Sequence, residues 1–215
     1  MKFEVKTIND VTNKVIRIAI GKGRGFQEAL DFLKIEKSME FEQFMEGAIP
    51  EYFDETNKIQ LVMVRSNDLP WLLMQGHVDV AIGSSVWFEE YNFSKLDLFA
   101  ELAVKKCRLS LITSVRLELS KIKTICTRFP NLTKQYAELN DIDPKIIFMT
   151  GCHEVALTLK ISDAIIDIIE TGRTIERMKF FELDCLSTVS HGIWTRKNDI
   201  FSSEKLKSII HYSFV

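Results

Sequence analysis

Cysteine is scarce and scattered. The chain has 4 among 215 residues, at Cys107, Cys126, Cys152 and Cys185, with no Cys-x-x-Cys and no Cys/His pair at zinc spacing. This excludes a disulfide-stapled mini-domain and a zinc ribbon, and isolated thiols suit a reducing compartment. Proline (4) and glycine (9) are also few, and no low-complexity linker interrupts the chain. Neither sign of charge dominates, since 28 Lys and Arg face 30 Asp and Glu for a net charge of −2. A generally basic nucleic-acid binder is thereby excluded. No window approaches the ~18 apolar residues of a membrane span, and the opening MKFEVKTIND lacks the apolar centre of a signal peptide. The expectation is a cytoplasmic protein with neither nucleic acid nor membrane as partner. The nearest approach to a metal cluster, Cys152-His153-Glu154, is contiguous, and successive residues of a helix or strand diverge. No protein ligand set for a metal is read there.

What is present is a soluble globular composition, 46% hydrophobic and 27% charged. Apolar runs rich in β-branched residues alternate with segments of helical period, the pattern of an α/β protein. Strands are expected at 15–20 (VIRIAI), 59–64 (IQLVMV), 78–82, 108–113 (RLSLIT), 123–126, 145–149 (KIIFM) and 163–169 (DAIIDII). Helices are expected around Phe26, Ala29, Leu30 and Leu33, after Asp68-Leu69-Pro70 with Gly76 ending it, from Ser84, along Leu132, Tyr136 and Leu139, and over 154–160. An amphipathic helix through Leu206, Ile209 and Ile210 closes the series.

The stretch DAIIDIIETGRTI, from Asp163 to Ile175, carries the most chemistry. Asp163 and Asp167 lie four apart on a strand otherwise made of Ala and Ile, so both are expected on one face. Carboxylates are costly to bury unpaired, so that face must be wet, paired or turned to a ligand. The strand runs into Glu170-Thr171-Gly172-Arg173-Thr174, where a glycine lets backbone amides approach a ligand and two hydroxyls and a guanidinium are at hand. That set suits a sugar phosphate, with carboxylates for ribose hydroxyls and the turn for a 5′-phosphate. An ordinary polar turn remains the alternative reading of the same residues.

DAIIDIIETGRTI resembles the phosphoribosyl-pyrophosphate (PRPP) motif of the ATP phosphoribosyltransferase family. Gly151-Cys152-His153-Glu154-Val155-Ala156 is similar to that family's Gly-Ser-x-Glu-x-Ala helix, and Thr127-Arg128-Phe129-Pro130-Asn131-Leu132-Thr133 to its Thr-Lys-Tyr-Pro-Asn-Leu-Thr segment. Cys107-Arg108-Leu109 resembles its Cys-Arg-Leu strand. Ile18-Ala19-Ile20-Gly21-Lys22-Gly23-Arg24 resembles Ile-Ala-x-Pro-Lys-Gly-Arg, and Arg65 with Asp68-Leu69-Pro70 its Arg-x-x-Asp-x-Pro element. The matches run in order from about residue 16 to about 180.

The resemblance implies two α/β lobes of the type II periplasmic-binding-protein kind with the active site in the cleft between them. They would be 1–104 plus 189–215, and 105–188. It implies attack by N1 of the adenine of ATP on the anomeric carbon of PRPP, with Mg²⁺ carried on the substrates and no direct protein ligand. It assigns Asp163, Asp167 and Glu170 to the ribose, and Thr171, Gly172, Arg173 and Thr174 to the 5′-phosphate. Lys22, Gly23, Arg24 and Arg65 fall to the pyrophosphate or ATP, and Glu154 to the cleft, with Lys22, Arg24, Glu154 and Asp167 as the catalytic set. It further implies the short form of the family, which works in homo- and hetero-oligomers with a regulatory subunit related to histidyl-tRNA synthetase.

Some segments depart from the pattern. Gly21 and Gly25 replace the family's Pro and Leu, giving GKGRG, expected to be a looser turn. Asp79-Val80-Ala81-Ile82-Gly83-Ser84-Ser85 is shorter than the corresponding segment and lacks its second Asp. Cys152-His153 replaces small or apolar residues, and His153 is read as a helix cap or packing residue, with a phosphate contact as the alternative. The 79–85 segment keeps two other functions open, a non-catalytic binding or regulatory paralogue and a transferase for a different base.

Overall fold

The computed structural model describes residues 14–210, and the opening decapeptide lies outside them. The chain forms two compact units. The first takes the described residues up to Phe88, then Asn92–Val104 and those from His191 onward, and the second takes Glu89–Tyr91 and Lys105–Ser190.

In the first unit, six strands form one sheet in the order β2-β3-β1-β4-β11-β5. These are β1 (Ile16–Gly21), β2 (Glu51–Asp54), β3 (Ile59–Val64), β4 (Val80–Ser84), β5 (Leu96–Glu101) and β11 (His191–Arg196). β1 pairs in parallel with β3 and β4, while β11 runs antiparallel to both β4 and β5. The central strands are aliphatic on both faces because helices cover both. α1 (Phe26–Phe32), α2 (Met39–Met45) and α8 (Ile200–Ile209) pack with Ile16, Ile18, Ile20 and Ile82. α3 (Leu69–Met74) packs with Ala19 and Ala81 in a separate cluster that includes Phe88 of α4 (Ser85–Tyr91). Local signals start and stop these helices. Pro70 occupies the first turn of α3, and the Ser38 hydroxyl accepts from the Phe41 backbone N–H at the start of α2.

In the second unit, the order is β10-β6-β9-β7-β8, with β6 (Cys107–Thr113), β7 (Thr124–Thr127), β8 (Lys145–Phe148), β9 (Ala164–Ile169) and β10 (Phe181–Val189). β9 lies at its centre, parallel to β7 and antiparallel to β6. The helices are α5 (Pro130–Leu139), α6 (His153–Thr158) and α7 (Arg173–Met178). Ile165 and Ile169 of β9 pack with Ala156 and Leu157 of α6 and Cys126 of β7. Asp167 falls between those isoleucines in the two-residue period, so it shares the face that α6 covers.

Two sequence expectations about packing fail. Leu139 is 86% exposed, and α5 buries Tyr136 of the expected stripe together with Thr133 and Ala137. The GKGRG turn is not slack. A Cβ on Gly21 would stand 2.7 Å from the Ser66 hydroxyl, and one on Gly25 would overlap the His191 ring. Gly25 also holds φ 77° where α1 begins, a conformation that L side chains rarely adopt. The two glycines answer close approach and backbone sign at this turn rather than freedom.

Candidate active site

The carboxyl end of β9 and the turn after it enclose a cavity of about 240 Å³. Its polar lining is Glu154, Asp167, Glu170, Thr171, Arg173 and Thr174, and isoleucines including Ile112, Ile165 and Ile169 supply apolar walls. Gly172 takes φ 78°, and a Cβ there would meet nothing within 4 Å. It serves the backbone turn and leaves space open above it. The Thr171 hydroxyl accepts from the Arg173 backbone N–H at 3.4 Å, which steadies the turn that presents Arg173 and Thr174.

Asp167 is the most heavily supported group of this site. Its Oδ2 lies 2.7 Å from His153 Nδ1 and 3.5 Å from Arg128 Nη2, and its Oδ1 accepts from the Ile168 backbone N–H at 2.8 Å. Burial pushes the Asp167 carboxyl up, but the His153 hydrogen bond and the Arg128 charge outweigh it and hold it below the usual carboxylate range. For His153, burial pushes down, and the hydrogen bond and charge of Asp167 prevail to raise it. His153 has no exposed surface, and its Nε2 lies 2.9 Å from the Met149 carbonyl oxygen. The ring therefore caps nothing of its own helix. It ties α6 to β9, and neither His153 nor Arg128 was identified as an Asp167 ligand from sequence.

Asp163 does not join this group. Its Oδ2 accepts from the backbone N–H groups of Lys123 and Thr124 and from the Thr124 hydroxyl, each at 2.9 Å. It immediately precedes β9, and four residues along a strand span ~13 Å, which puts Asp163 at the far end of β9 from the turn. It is a structural clip joining the start of β9 to β7.

In the first unit, Lys22, Gly23 and Arg24 form the turn between β1 and α1, and Arg65 lies just beyond β3. The pairing of β1 with β3 runs to Gly21 opposite Val64, and the Lys22 backbone N–H donates to the Val64 carbonyl at 2.8 Å. The ends of these two strands thus bring Lys22 and Arg65 to one rim of their sheet. The Lys22 ammonium lies against Gly47, 3.5 Å from where a Cβ would be. Asp79, which opens the shortened segment, is spent inside the fold on Arg17 and Arg196. Among the described residues, no cluster of three or more His, Cys, Asp or Glu side chains could hold a metal, and no helix is long and apolar enough to cross a membrane.

Comparison with known proteins matches residues 65–212 to the HisG family, ATP phosphoribosyltransferase. The chain belongs to that family. An ATP phosphoribosyltransferase of Clostridium acetobutylicum is 32% identical over 185 residues, covering 83% of this chain and 84% of the relative. One of Campylobacter fetus is 30% identical over 203 residues, 92% of this chain and 97% of that one. The ATP phosphoribosyl transferase (HisG:HisZ) complex from Thermotoga maritima supplies a solved chain with a TM-score of 0.71 and 25% identity, covering 90% of this chain and 98% of that chain. A putative L-cystine ABC transporter from Listeria monocytogenes aligns at a TM-score of 0.54 with 15% identity, covering 91% and 88%. That likeness concerns the fold alone, the two-lobed type II periplasmic-binding-protein kind. The chain is a pentosyltransferase that condenses ATP with PRPP to phosphoribosyl-ATP and pyrophosphate, the first step of histidine biosynthesis.

Proposed function

We propose that the β9 cavity is the PRPP subsite, with Asp167 and Glu170 meeting the ribose hydroxyls and Thr171, Gly172, Arg173 and Thr174 holding the 5′-phosphate. The observation that carries this reading is the juxtaposition, around one cavity, of a carboxylate paired with Arg128 and His153 and an open glycine turn bearing hydroxyls and a guanidinium. Asp163, engaged by Lys123 and Thr124, is left out of the proposed ribose set. Lys22, Arg24 and Arg65 are assigned to the phosphates of ATP or the departing pyrophosphate, with Gly23 shaping their turn. Glu154 is assigned to substrate contact at the edge of the cavity.

The reaction asks for no protein nucleophile. The bond from adenine N1 to the anomeric carbon forms as the bond from that carbon to pyrophosphate oxygen breaks. The chain's task is to align two polyanions and to stabilise charge on the ribose and the leaving group. The carboxylates beside the cavity, Asp167, Glu154 and Glu170, belong to a substrate-orienting set rather than a metal cage. Mg²⁺ fits this site as an ion carried on substrate oxygens, where it would offset phosphate charge. A hetero-oligomer with a regulatory subunit completes the reading and is supported by the two-component Thermotoga maritima complex, and the proposal extends to a subunit related to histidyl-tRNA synthetase and to work in the cytoplasm.

The test mixes the full chain with PRPP, Mg²⁺ and ATP, with and without the synthetase-like subunit, and follows phosphoribosyl-ATP. Product that depends on Arg173 and Asp167 supports the assignment. PRPP binding unaffected by Arg173→Ala would remove it.

A further inference from the structure

The contact between His153 and Asp167 says more about this site than its family motif does, because the motif leaves that position unspecified. Both ring nitrogens are engaged in a fully buried setting. The Met149 carbonyl has no proton to give, so Nε2 carries one. A single proton also lies in the 2.7 Å contact between Nδ1 and Asp167 Oδ2. Arg128 Nη2 stands 3.5 Å from that same oxygen, and the Ile168 N–H binds the other at 2.8 Å. Both favour the ionised carboxylate, so the shared proton belongs to Nδ1 and the ring is an imidazolium.

We infer that His153 is a positioning residue for phosphoribosyl transfer: as an imidazolium it holds the Asp167 carboxylate ionised and in one orientation, leaving its remaining lone pairs for the ribose hydroxyls of PRPP. The inference rests on the assignment of the β9 cavity to PRPP. Its physical content is a proton linkage. A neutral ring that keeps its Nε2–H on Met149 would set an Nδ1 lone pair against a carboxylate oxygen, so Asp167 must turn away or take up a proton. Either change spoils the ribose contact.

The groups around His153 leave it as the one that switches. Arg128 Nη2 also lies 3.5 Å from His153 Nδ1, and its charge opposes protonation of the ring, an effect that the Asp167 hydrogen bond and charge outweigh. Cys126 of β7 is pushed up by burial and by the Asp167 charge, which keeps it a thiol. Asp167 is held low, and Glu154, next along α6, is the other carboxylate of that helix end beside the cavity. The His153 pKa stands above its ordinary value of 6.5, so the ring holds its second proton to higher pH than a free imidazole does.

The test compares wild type, His153→Asn and His153→Ala as full chains with the regulatory subunit, ATP and Mg²⁺. It reads PRPP affinity and kcat/KM for PRPP between about pH 6 and 10, spanning the ordinary and raised histidine range. Side-chain ¹⁵N NMR of the wild type, with His153 assigned by its loss in the Asn variant, reads the protonation state directly. Wild type is expected to lose about tenfold in PRPP affinity along a high-pH limb that matches the His153 titration, and both ring nitrogens should carry protons at about pH 6. The Asn amide takes the place of Nδ1–H as a donor that does not titrate, so its profile should be flat and within a few-fold of wild type at neutral pH. His153→Ala should lose about thirtyfold in kcat/KM for PRPP while KM for ATP changes less than about twofold.

A high-pH limb that persists unchanged in His153→Asn, or a neutral His153 tautomer at about pH 6, would overturn the inference. So would PRPP affinity in the wild type that is independent of pH. Should both variants fail to fold, the pH dependence of PRPP affinity in the wild type still decides it. Absence of PRPP binding to the wild type at every pH would overturn the cavity assignment and the His153 role together, whereas pH-independent binding overturns the His153 role alone.

Discussion

Arg17 closes on Asp79 from both its backbone and its side chain. The Arg17 backbone N–H and Nε donate to Asp79 Oδ2, each at 3.0 Å, and Nη2 donates to Oδ1 at 2.9 Å. Arg196 approaches Oδ1 at 3.5 Å from β11. Burial pushes the Asp79 carboxyl up, yet the Arg17 hydrogen bonds and the two guanidinium charges hold it below its ordinary value. One carboxylate thus fastens β1, the entrance to β4, and β11. Asp79→Ala should cost about 2 kcal/mol by loss of charge-assisted hydrogen bonds between a buried carboxylate and a partly exposed Arg17. Urea denaturation followed by circular dichroism checks this, with Asp79→Asn expected to retain part of the stability.

Restoring a family residue at position 25 should harm this chain. Gly25→Leu puts a side chain at φ 77° and into the His191 ring, and the two effects together should cost about 2–3 kcal/mol. A melting temperature unchanged in Gly25→Leu would contradict the packing described here. The double variant with His191→Ala should recover the steric part and leave the backbone part.

Gly172→Ala separates fold from binding. Its φ of 78° carries a penalty of about 1 kcal/mol for any L residue, while the open space above it means no clash. A modest loss of melting temperature with about a tenfold rise in KM for PRPP is expected, because the methyl enters the space assigned to phosphate. Calorimetry on the folded protein and steady-state kinetics measure the two effects independently.

Removing a cavity group should differ sharply from removing a surface charge. Asp167→Asn or Arg173→Ala is expected to lower kcat/KM for PRPP by about a hundredfold, the scale of a lost charge-assisted contact. Lys197→Ala, which breaks only an exposed 3.6 Å pair with Asp97, should change it by less than about twofold. Equal losses would place the site on another face.

Acid should unfold the protein through a defined set of carboxylates. Asp54, Asp79, Asp167 and Glu182 all sit below their ordinary values when folded. Glu182 owes this mainly to its hydrogen bond from Arg108, whereas at Asp54 the Asn57 and Glu36 hydrogen bonds outweigh burial. A depressed folded pKa contributes stability that is present above the unfolded value and lost as pH falls through the folded one. Urea midpoints should therefore hold above about pH 5 and fall steeply below about pH 4. His153 has the opposite sign, and its contribution is complete below 6.5 and fades as pH rises through its raised folded value.

The sequence was most legible where one physical signal dominated. β3 was placed to the residue, since IQLVMV has a strand's composition and an edge at each end. α3 was foreseen from its proline start and Gly76, whose φ of 75° lies just past the helix. β10 was missed because FELDCLSTV is largely solvent-facing, with irregular register against β6, and carries no clean apolar alternation. At the site, the Thr171–Thr174 turn could be read because it is contiguous. His153 and Asp167 are fourteen positions apart, and only the pairing of β7 with β9 and the packing of α6 on them bring the two together. Asp163 was misassigned for the complementary reason, since a shared face says nothing about distance along a strand.

The strand order of the first unit bears on how the chain is made. β11 belongs between β4 and β5, yet residues 105–190 emerge from the ribosome before it does. Until then β4 and β5 each present an unfilled hydrogen-bonding edge, and the aliphatic face that receives Leu206 and Ile209 stays uncovered. The second unit, whose strands come from one uninterrupted stretch, has all of its own sheet partners by residue 189. During synthesis the inserted unit can finish folding first, and the unit that was begun earliest is completed last.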